Sequence, residues 1–297
     1  MSGLFEEAKR LRLKKRFSQN FLIDEAILDR IVGLLSLSSN ETVLEIGPGA
    51  GFLTERLLPG TGQVIAVDVD PRMVQYLSQK FSAEPTTPKD GLTESLALVQ
   101  HDILKFPFEK IPVDQFQVVG NLPYNITSPI LFSLVGELDT PKYPLRNRLS
   151  RITLMVQKEV GERITATPGE KAYNALSVAS QFWFEPELAF MVPAGAFYPK
   201  PAVDSAVITL TPRAAPAIEV MDYKMLSRLV KTAFNYRRKT LRNALLHGGW
   251  IPASDLDTLL NAVGIDGKIR PQQLSITDFG HLANEYAKTH ANLSRQD

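Results

Sequence analysis

The sequence predicts an α/β fold: a mostly parallel sheet with helices on both faces, followed by a small all-helical C-terminal domain. Three observations carry this. In the first half, the short apolar stretches "TVLEI", "QVIAVD", "ALVQ" and "FQVVGN" recur with helical or glycine-bearing segments between them. Each stretch is apolar on both faces, as a parallel strand covered on both sides must be. Beyond about residue 214 only segments with helical periodicity remain.

The elements follow in order. Residues 9–16, "KRLRLKKR", hold six basic side chains in eight and suit a solvated terminus or a phosphate-contacting arm equally well. "DEAILDRIVGLLSL" puts Ile27, Leu28, Ile31, Leu34 and Leu35 at helical spacing, with Asp24 placed to cap. "TVLEIGPGAGFLTERLL" is a strand, a glycine loop and a helix. "GQVIAVDVD" is a second strand ending in acid, and "PRMVQYLSQKF" is a helix with Pro71 near its start. The polar stretch 82–95 is a surface loop. "ALVQHDIL" and "FQVVGNLPY" give strands three and four, and "PILFSLVGEL" a helix. "RITLMVQKEVGERI" opens as a fifth strand, and "AYNALSVASQFW" is helical. "PELAFMVPAGAFYPKPAVDSAVITLTP" supplies two or three strands at the antiparallel edge of the same sheet. After the linker-like "RAAPAIEV" come helices only: "YKMLSRLVKTAFNYRRKTLRNALLHG", "SDLDTLLNAVG" and "SITDFGHLANEYAKTH". The expected division is 1–213, including the basic arm, and 214–297.

In "LEIGPGAG", Gly47, Gly49 and Gly51 directly follow the first strand, where a missing Cβ permits a tight turn and close approach to a ligand. Asp68 ends the next strand, placed to accept from both ribose hydroxyls in the shared crevice. A glycine triplet alone also describes a plain turn; strand, helix and acid around it favour a nucleoside. A dinucleotide fingerprint needs G-x-G-x-x-G, and here Phe52 stands where the third glycine would be. A nucleoside without phosphates, such as S-adenosylmethionine (SAM), fits better. Asp102, after strand three, suits either an acceptor for an adenine amino group or a strand-end turn acid.

"VVGNLPYNITSP" ends strand four with Asn121, Leu122, Pro123 and Tyr124, at the carboxyl edge that carries the glycine loop. One reading is a proline turn with an incidental tyrosine. The other is methyl transfer to the exocyclic amine of a base. That amine's lone pair is delocalised into the ring. Acceptors aimed at its N–H bonds, the Asn121 side-chain oxygen and the Leu122 carbonyl, favour a tetrahedral nitrogen and free the pair. Pro123 restricts Leu122 to extended conformations and so helps aim its carbonyl. Tyr124 replaces the stacking that a base loses on leaving its helix. No strong general base is needed, because the methylated amine is acidic.

Composition narrows the alternatives. Over 297 residues, Lys+Arg 33 against Asp+Glu 32 exerts no global pull on polyanions, so a nucleic-acid surface must be local. Without cysteine there is no disulfide or thiolate chemistry, which suits a reducing cytoplasm. Four scattered histidines argue against a metal cluster, and no apolar run reaches membrane-spanning length. The absence of an apolar signal core leads us to expect a full-length, cytoplasmic chain.

"KKRFSQNFL", "LEIGPGAGFLT", "VVGNLPYNITSPI", "QKEV", "AFYPKPAVDSAV", "FNYRRKTLRNAL" and "GIDGKIRPQQLSITDF" together resemble the small-subunit rRNA adenine N6,N6-dimethyltransferases, the KsgA family, in the family's order and over nearly the whole chain. The resemblance implies a class I SAM-dependent methyltransferase fold, Rossmann-like, with a helical C-terminal domain. It implies two methyls on N6 of each of two adjacent adenines, in a hairpin loop near the 3′ end of the rRNA. The implied partners are that rRNA and the immature small ribosomal subunit; no membrane is expected, and a monomer is. By matching motif, Asn20 and Leu22 would close over the methionine part of SAM. Gly47 would lie against the cofactor, Asp68 would hold the ribose, and Asp102 the adenine amine. Asn121 would sit between cofactor and target nitrogen, and Phe197 would sandwich the target adenine against Tyr124. The loops at 82–95 and 139–151 are longer than the family pattern, and the second is basic.

"NYRRKTLRNAL" puts Arg237, Arg238, Lys239 and Arg242 on a predicted helix buried through Leu241 and Leu245, with Arg238 and Arg242 sharing another face. Phosphate contact and a solvated face both fit, and the arm at 9–16 favours phosphate. Three rival readings stand beside this one: a large-subunit rRNA adenine methyltransferase, which shares the cofactor and NLPY-type motifs but is disfavoured by "RRKTLRN" and "RPQQLSITDF"; a non-catalytic assembly or transcription factor on the same scaffold, disfavoured by the intact "NLPY" and Asp68; and, further off, a nicotinamide-dependent oxidoreductase.

Overall fold

The computed structural model describes residues 3–11 and 20–293, with side chains to residue 289; most of the basic arm at 9–16 therefore lies outside the described residues. Two compact units form: Met1–Leu134 with Pro144–Gly161 and Glu187–Pro212, and Val135–Tyr143 with Glu162–Pro186 and Arg213–Asp297.

The first unit is organised by β2 (Thr42–Ile46), β3 (Gln63–Asp68), β5 (Leu96–Gln100), β6 (Phe116–Asn121) and β7 (Leu149–Gln157). With β4 (Pro85–Thr86), β8 (Phe184–Val192) and β10 (Ser205–Pro212), they make an eight-stranded sheet in the order β4-β5-β3-β2-β6-β7-β10-β8. Contacts from β4 through β7 are parallel, and β10 runs antiparallel to β7. Every residue of β2 is buried, which explains a strand with no polar face. The chain leaves β2 for β3 on one side and later returns to β6 on the other. A crevice opens at such a switch point.

Register fixes what stands at that crevice. Ile46 pairs with Val67 on one side and Gly120 on the other, and Asp68 pairs with Gln100. The next residues along these strands, Gly47, Asp68 and Asn121, therefore leave the sheet at one edge, with His101 and Asp102 just beyond. Around the sheet lie α1 (Gly3–Arg10), α2 (Glu25–Gly33), α3 (Thr54–Leu57), α4 (Pro71–Phe81), α5 (Thr127–Val135) and α6 (Lys158–Thr165). Asp24 caps α2 by accepting from the Ile27 amide at 3.1 Å, and Asp70 caps α4 ahead of Pro71.

The structure departs from the sequence expectation at several points. Of the strands expected at the antiparallel edge, β9 (Phe197–Tyr198) does not join the sheet. It pairs antiparallel with β1 (Phe21–Leu22), with Leu22 opposite Phe197. The 82–95 segment is not all loop, since β4 adds a parallel edge to β5. The "fifth strand" ends at Gln157, and the polar "KEVGERI" turns into α6. The basic segment at 139–151 is partly tied down: Arg148 donates to the carbonyls of Phe108 (2.6 Å), Ile111 (2.7 Å) and Val113.

The second unit holds α7 (Ala175–Trp183), α8 (Tyr223–Asn235), α9 (Leu241–His247), α10 (Ala253–Ala262) and α11 (Ile276–Leu293). Rings knit it together: Trp183 stacks on Tyr223 at 5.8 Å, while Phe234 meets Tyr173 and Phe279, each at 5.9 Å. These contacts bring α7 into the helical unit although it precedes residue 213. The single helix expected over 223–248 breaks at 236–240, where Thr240 begins anew as the N-cap of α9. Arg237, Arg238 and Lys239 therefore sit in a turn, and only Arg242 is helical.

Candidate active site

A cavity of about 320 Å³ lies at the carboxyl edge of the parallel strands, within the range of small-molecule sites. Asn20, Gly47, Asp68, Asp102, Asn121, Leu122, Pro123 and Tyr124 all line it, so distant motifs converge as their strand ends require. Leu22 lines an adjoining cavity of about 50 Å³ that shares Phe21, Gly47 and Asn121 with the first.

The glycine loop is left-handed at Gly47 (φ 68°), Gly49 (φ 55°) and Gly51 (φ 75°). At Gly49 a Cβ would also lie 2.7 Å from the Phe21 ring, so both backbone and space exclude a side chain. Asp68 accepts from the backbone amides of Gly49 (3.3 Å) and Asp70 (2.8 Å), which fixes its carboxylate against the loop. Burial raises its pKa to about 6, against the lowering effect of those amides. Asp102 Oδ1 accepts from the Leu104 amide at 3.0 Å, and Oδ2 has no partner among the described residues. Both of its readings survive: it is a turn acid with one oxygen to spare.

Glu45, one strand residue before the loop, is buried and accepts from Thr54 Oγ1 at 2.6 Å. Desolvation raises its pKa to about 7, opposed by that hydrogen bond. It lines the smaller cavity, not the larger.

Asn121 Nδ2 donates to the Asn20 carbonyl at 2.8 Å. This fixes the amide's orientation and leaves Oδ1 without a donor among the described residues. The Leu122 amide donates to Met155 O at 3.0 Å, while its own carbonyl accepts nothing among the described residues. Pro123 O is taken by Thr127 Oγ1 (3.1 Å) and the Ile126 amide (3.2 Å). Two adjacent acceptors, Asn121 Oδ1 and Leu122 O, are thus left over on a segment tied down on both sides. Tyr124 Oη shares a hydrogen bond of 2.7 Å with Ser205 Oγ, and burial raises the phenol pKa.

Phe197 is placed differently from the other candidates. Its side chain is 3% exposed in an apolar cluster with Phe21, Leu22, Val192 and Val207, and it lines neither cavity. Pairing with β1 holds it there, outside the cavity that Tyr124 lines. Sequence reasoning missed Phe21, Val69, His101, Leu104 and Ser205. Val69 and Leu104 are exposed apolar side chains at the cavity, 51% and 40%, and each follows within two residues of an acid singled out in the sequence. Ser205 stands inside the quoted "AFYPKPAVDSAV" but carried no signal of its own.

In the helical unit the four basic residues have different fates. Arg242 is held by Asp257 through bonds of 2.6 and 2.8 Å. Arg237 donates to Gln272 Oε1 at 3.1 Å and to the Lys171 carbonyl. Arg238 and Lys239 are exposed, with no side-chain partner among the described residues.

Residues 10–288 match the family model described as ribosomal RNA adenine dimethylase. The chain is 43% identical over 275 residues to the ribosomal RNA small subunit methyltransferase A of Gloeobacter violaceus, covering 93% of this chain and 94% of the relative. It is 39% identical over 278 residues to the protein of the same description in Alcanivorax borkumensis, covering 93% and 91%. Among solved structures, a dimethyladenosine transferase from Plasmodium falciparum superposes with TM-score 0.74 at 25% identity, covering 91% of this chain and 98% of that one. The 23S rRNA methyltransferase ErmE gives 0.67 at 27%, covering 89% and 98%.

Proposed function

The chain belongs to the ribosomal RNA adenine dimethylase family, and from that premise we propose that it transfers methyl groups from S-adenosyl-L-methionine to N6 of two adjacent adenines in the 3′-terminal hairpin loop of small-subunit rRNA. The product is N6,N6-dimethyladenosine at both positions. The observation that carries the reading is the pair of acceptors left without a donor among the described residues, Asn121 Oδ1 and Leu122 O, beside a cavity that the left-handed glycine loop and the acid at the next strand tip also line.

The residues fit the cofactor. The glycine loop offers backbone without side chains, Asp68 offers a carboxylate for the ribose hydroxyls, and Asp102 keeps one oxygen for the adenine amine. Val69, Ile103 and Leu104 give apolar walls for a purine. When bound, SAM supplies an electrophilic methyl group on a sulfonium.

The chain's own residues act on the acceptor. Asn121 Oδ1 and Leu122 O accept from the two N–H bonds of the target amine and draw its nitrogen toward tetrahedral geometry, freeing the lone pair. Pro123 and the Thr127 bond keep that pair of acceptors aimed. Tyr124 stacks on the flipped adenine, its ring set by Ser205. After transfer, the nitrogen loses its proton without a strong base.

We assign the sheet-bearing unit to catalysis and the helical unit, which takes in 135–143 and 162–186 as well as 213–297, to RNA contact, with Arg238 and Lys239 as phosphate contacts. The substrate is the immature small subunit, met in the cytoplasm by a monomer. No helix among the described residues is long and apolar enough to cross a membrane. Radiolabelled methyl transfer to unmethylated small subunits, with mass analysis of the adenines, tests the reading. Labelled N6,N6-dimethyladenosine lost in Asn121→Ala supports it. Label appearing only in large-subunit rRNA overturns it in favour of the ErmE-like substrate.

A further inference from the structure

At the break between α8 and α9, Tyr236 and His247 stack on each other in the open. Their ring centroids are 5.0 Å apart and the planes 26° from parallel. Tyr236 is 39% exposed at the C-terminal end of α8, and His247 is exposed in the last turn of α9. Aromatic rings at a surface normally have an apolar body to hide and a polar edge to wet. Here the Tyr236 hydroxyl has no hydrogen-bond partner among the described residues.

The charges around the stack are equally specific. Of the four basic side chains in "RRKTLR", Arg237 and Arg242 are spent on Gln272, Lys171 and Asp257. The two that remain, Arg238 and Lys239, occupy the turn that starts at Tyr236, closed by the Lys239 amide donating to Tyr236 O at 2.8 Å. A flat, sequence-tolerant π surface beside two uncommitted cations is the combination that takes single-stranded nucleic acid, with a base on the ring and its phosphates on the charges.

We propose that the Tyr236–His247 stack is a docking platform for an unpaired base of the RNA substrate, separate from the adenine that is methylated, with Arg238 and Lys239 holding the phosphates on either side. The inference rests on the proposed RNA substrate and deepens it. It commits to an unstacked nucleotide, in a loop or bulge, bound by the helical unit. Duplex RNA alone presents no free base face to this surface.

The test is binding of the full chain to unmethylated small subunits across a salt series. Tyr236→Ala should weaken binding by roughly five- to 150-fold, the range for losing one base–aromatic stack, by a similar factor at every salt concentration. Tyr236→Phe keeps the ring and should bind within about twofold of the parent. The Arg238→Glu, Lys239→Glu pair should lower the slope of log K against log salt by about 2, one for each phosphate. SAM affinity and the thermal midpoint should stay put in Tyr236→Ala, which separates a lost contact from a damaged fold. Parent-like binding by Tyr236→Ala overturns the platform, as does an equal loss in Tyr236→Phe. Methyl transfer by the parent to the same subunits is read in parallel. If the parent binds but does not methylate, the functional reading fails while the platform is still judged by Tyr236→Ala. If it does not bind, both fall.

Discussion

Tyr124 and Ser205, 81 residues apart, share a hydrogen bond of 2.7 Å that ties the end of β6 to the start of β10. On the proposed reading the Tyr124 ring stacks on the target base and must be held at a fixed tilt, which this hydroxyl contact supplies. Ser205→Ala removes it, at about 0.5–1.5 kcal/mol for a net hydrogen bond. In methyl-transfer assays kcat should fall roughly two- to tenfold with SAM affinity unchanged, and Tyr124→Phe should match it. A Ser205→Ala enzyme with parental kcat would leave the bond without a role in positioning.

Asn121→Ala removes one of the two spare acceptors and the bond to Asn20 together. A preorganised polar group at a reacting centre is worth about two to three orders of magnitude. The expected loss in kcat is of that size. Asn121→Asp keeps an acceptor oxygen but not the donation to Asn20, so it should fall between. Single-turnover methyl transfer reads both.

On the proposed reading, with Asp68 holding the ribose hydroxyls, cofactor binding depends on pH. Its folded pKa is raised to about 6, and hydroxyl donors prefer the carboxylate. SAM affinity should therefore be flat above about pH 7 and drop about tenfold per unit below about pH 6. Asp68→Asn should bind weakly at every pH, without that inflection. Titration calorimetry from pH 5 to 8 decides it.

Glu45 acts on stability instead. Its pKa rises from 4.5 unfolded to about 7 folded, so between those values the folded state holds more protons than the unfolded one. Stability is accordingly highest at the acid end of that window and declines as pH climbs to about 7, by an amount on the order of 3 kcal/mol. Glu45→Gln, which still accepts from Thr54, should melt several degrees higher than the parent at pH 8. The gap should close toward pH 5. Parallel melting curves with a constant gap would refute the assignment.

Gly49→Ala combines a left-handed φ of 55° with a Cβ placed 2.7 Å from the Phe21 ring. The expected cost is about 1–3 kcal/mol in urea unfolding, with loss of SAM binding from the displaced loop.

Much of the site was legible in the sequence because strand ends in a parallel sheet share an edge. Once "LEIGPG", "AVD", "QHD" and "GNLPY" were read as strand ends, their meeting followed from topology. What was hidden depended on side-chain pairing across long separations. Phe197 carries the same residue type whether it faces a ligand or a core, and its partner in β1 lies 175 residues earlier. The basic "RRKTLR" run looked uniformly helical because lysine and arginine favour helices. Thr240 as a cap, Asp257 as a distant partner and the resulting turn have no local signature strong enough to override that pattern.

The ribbon of β1 and β9 has one last implication, for biosynthesis. Phe21 and Leu22 leave the ribosome well before the strand that completes them, which is made only when the chain has reached Tyr198. Until then the Phe21 wall of the glycine loop has no backbone partner. A nascent chain that has finished β2, β3 and β6 thus has much of the parallel core in hand, while this wall of the cavity waits until β9 has been made.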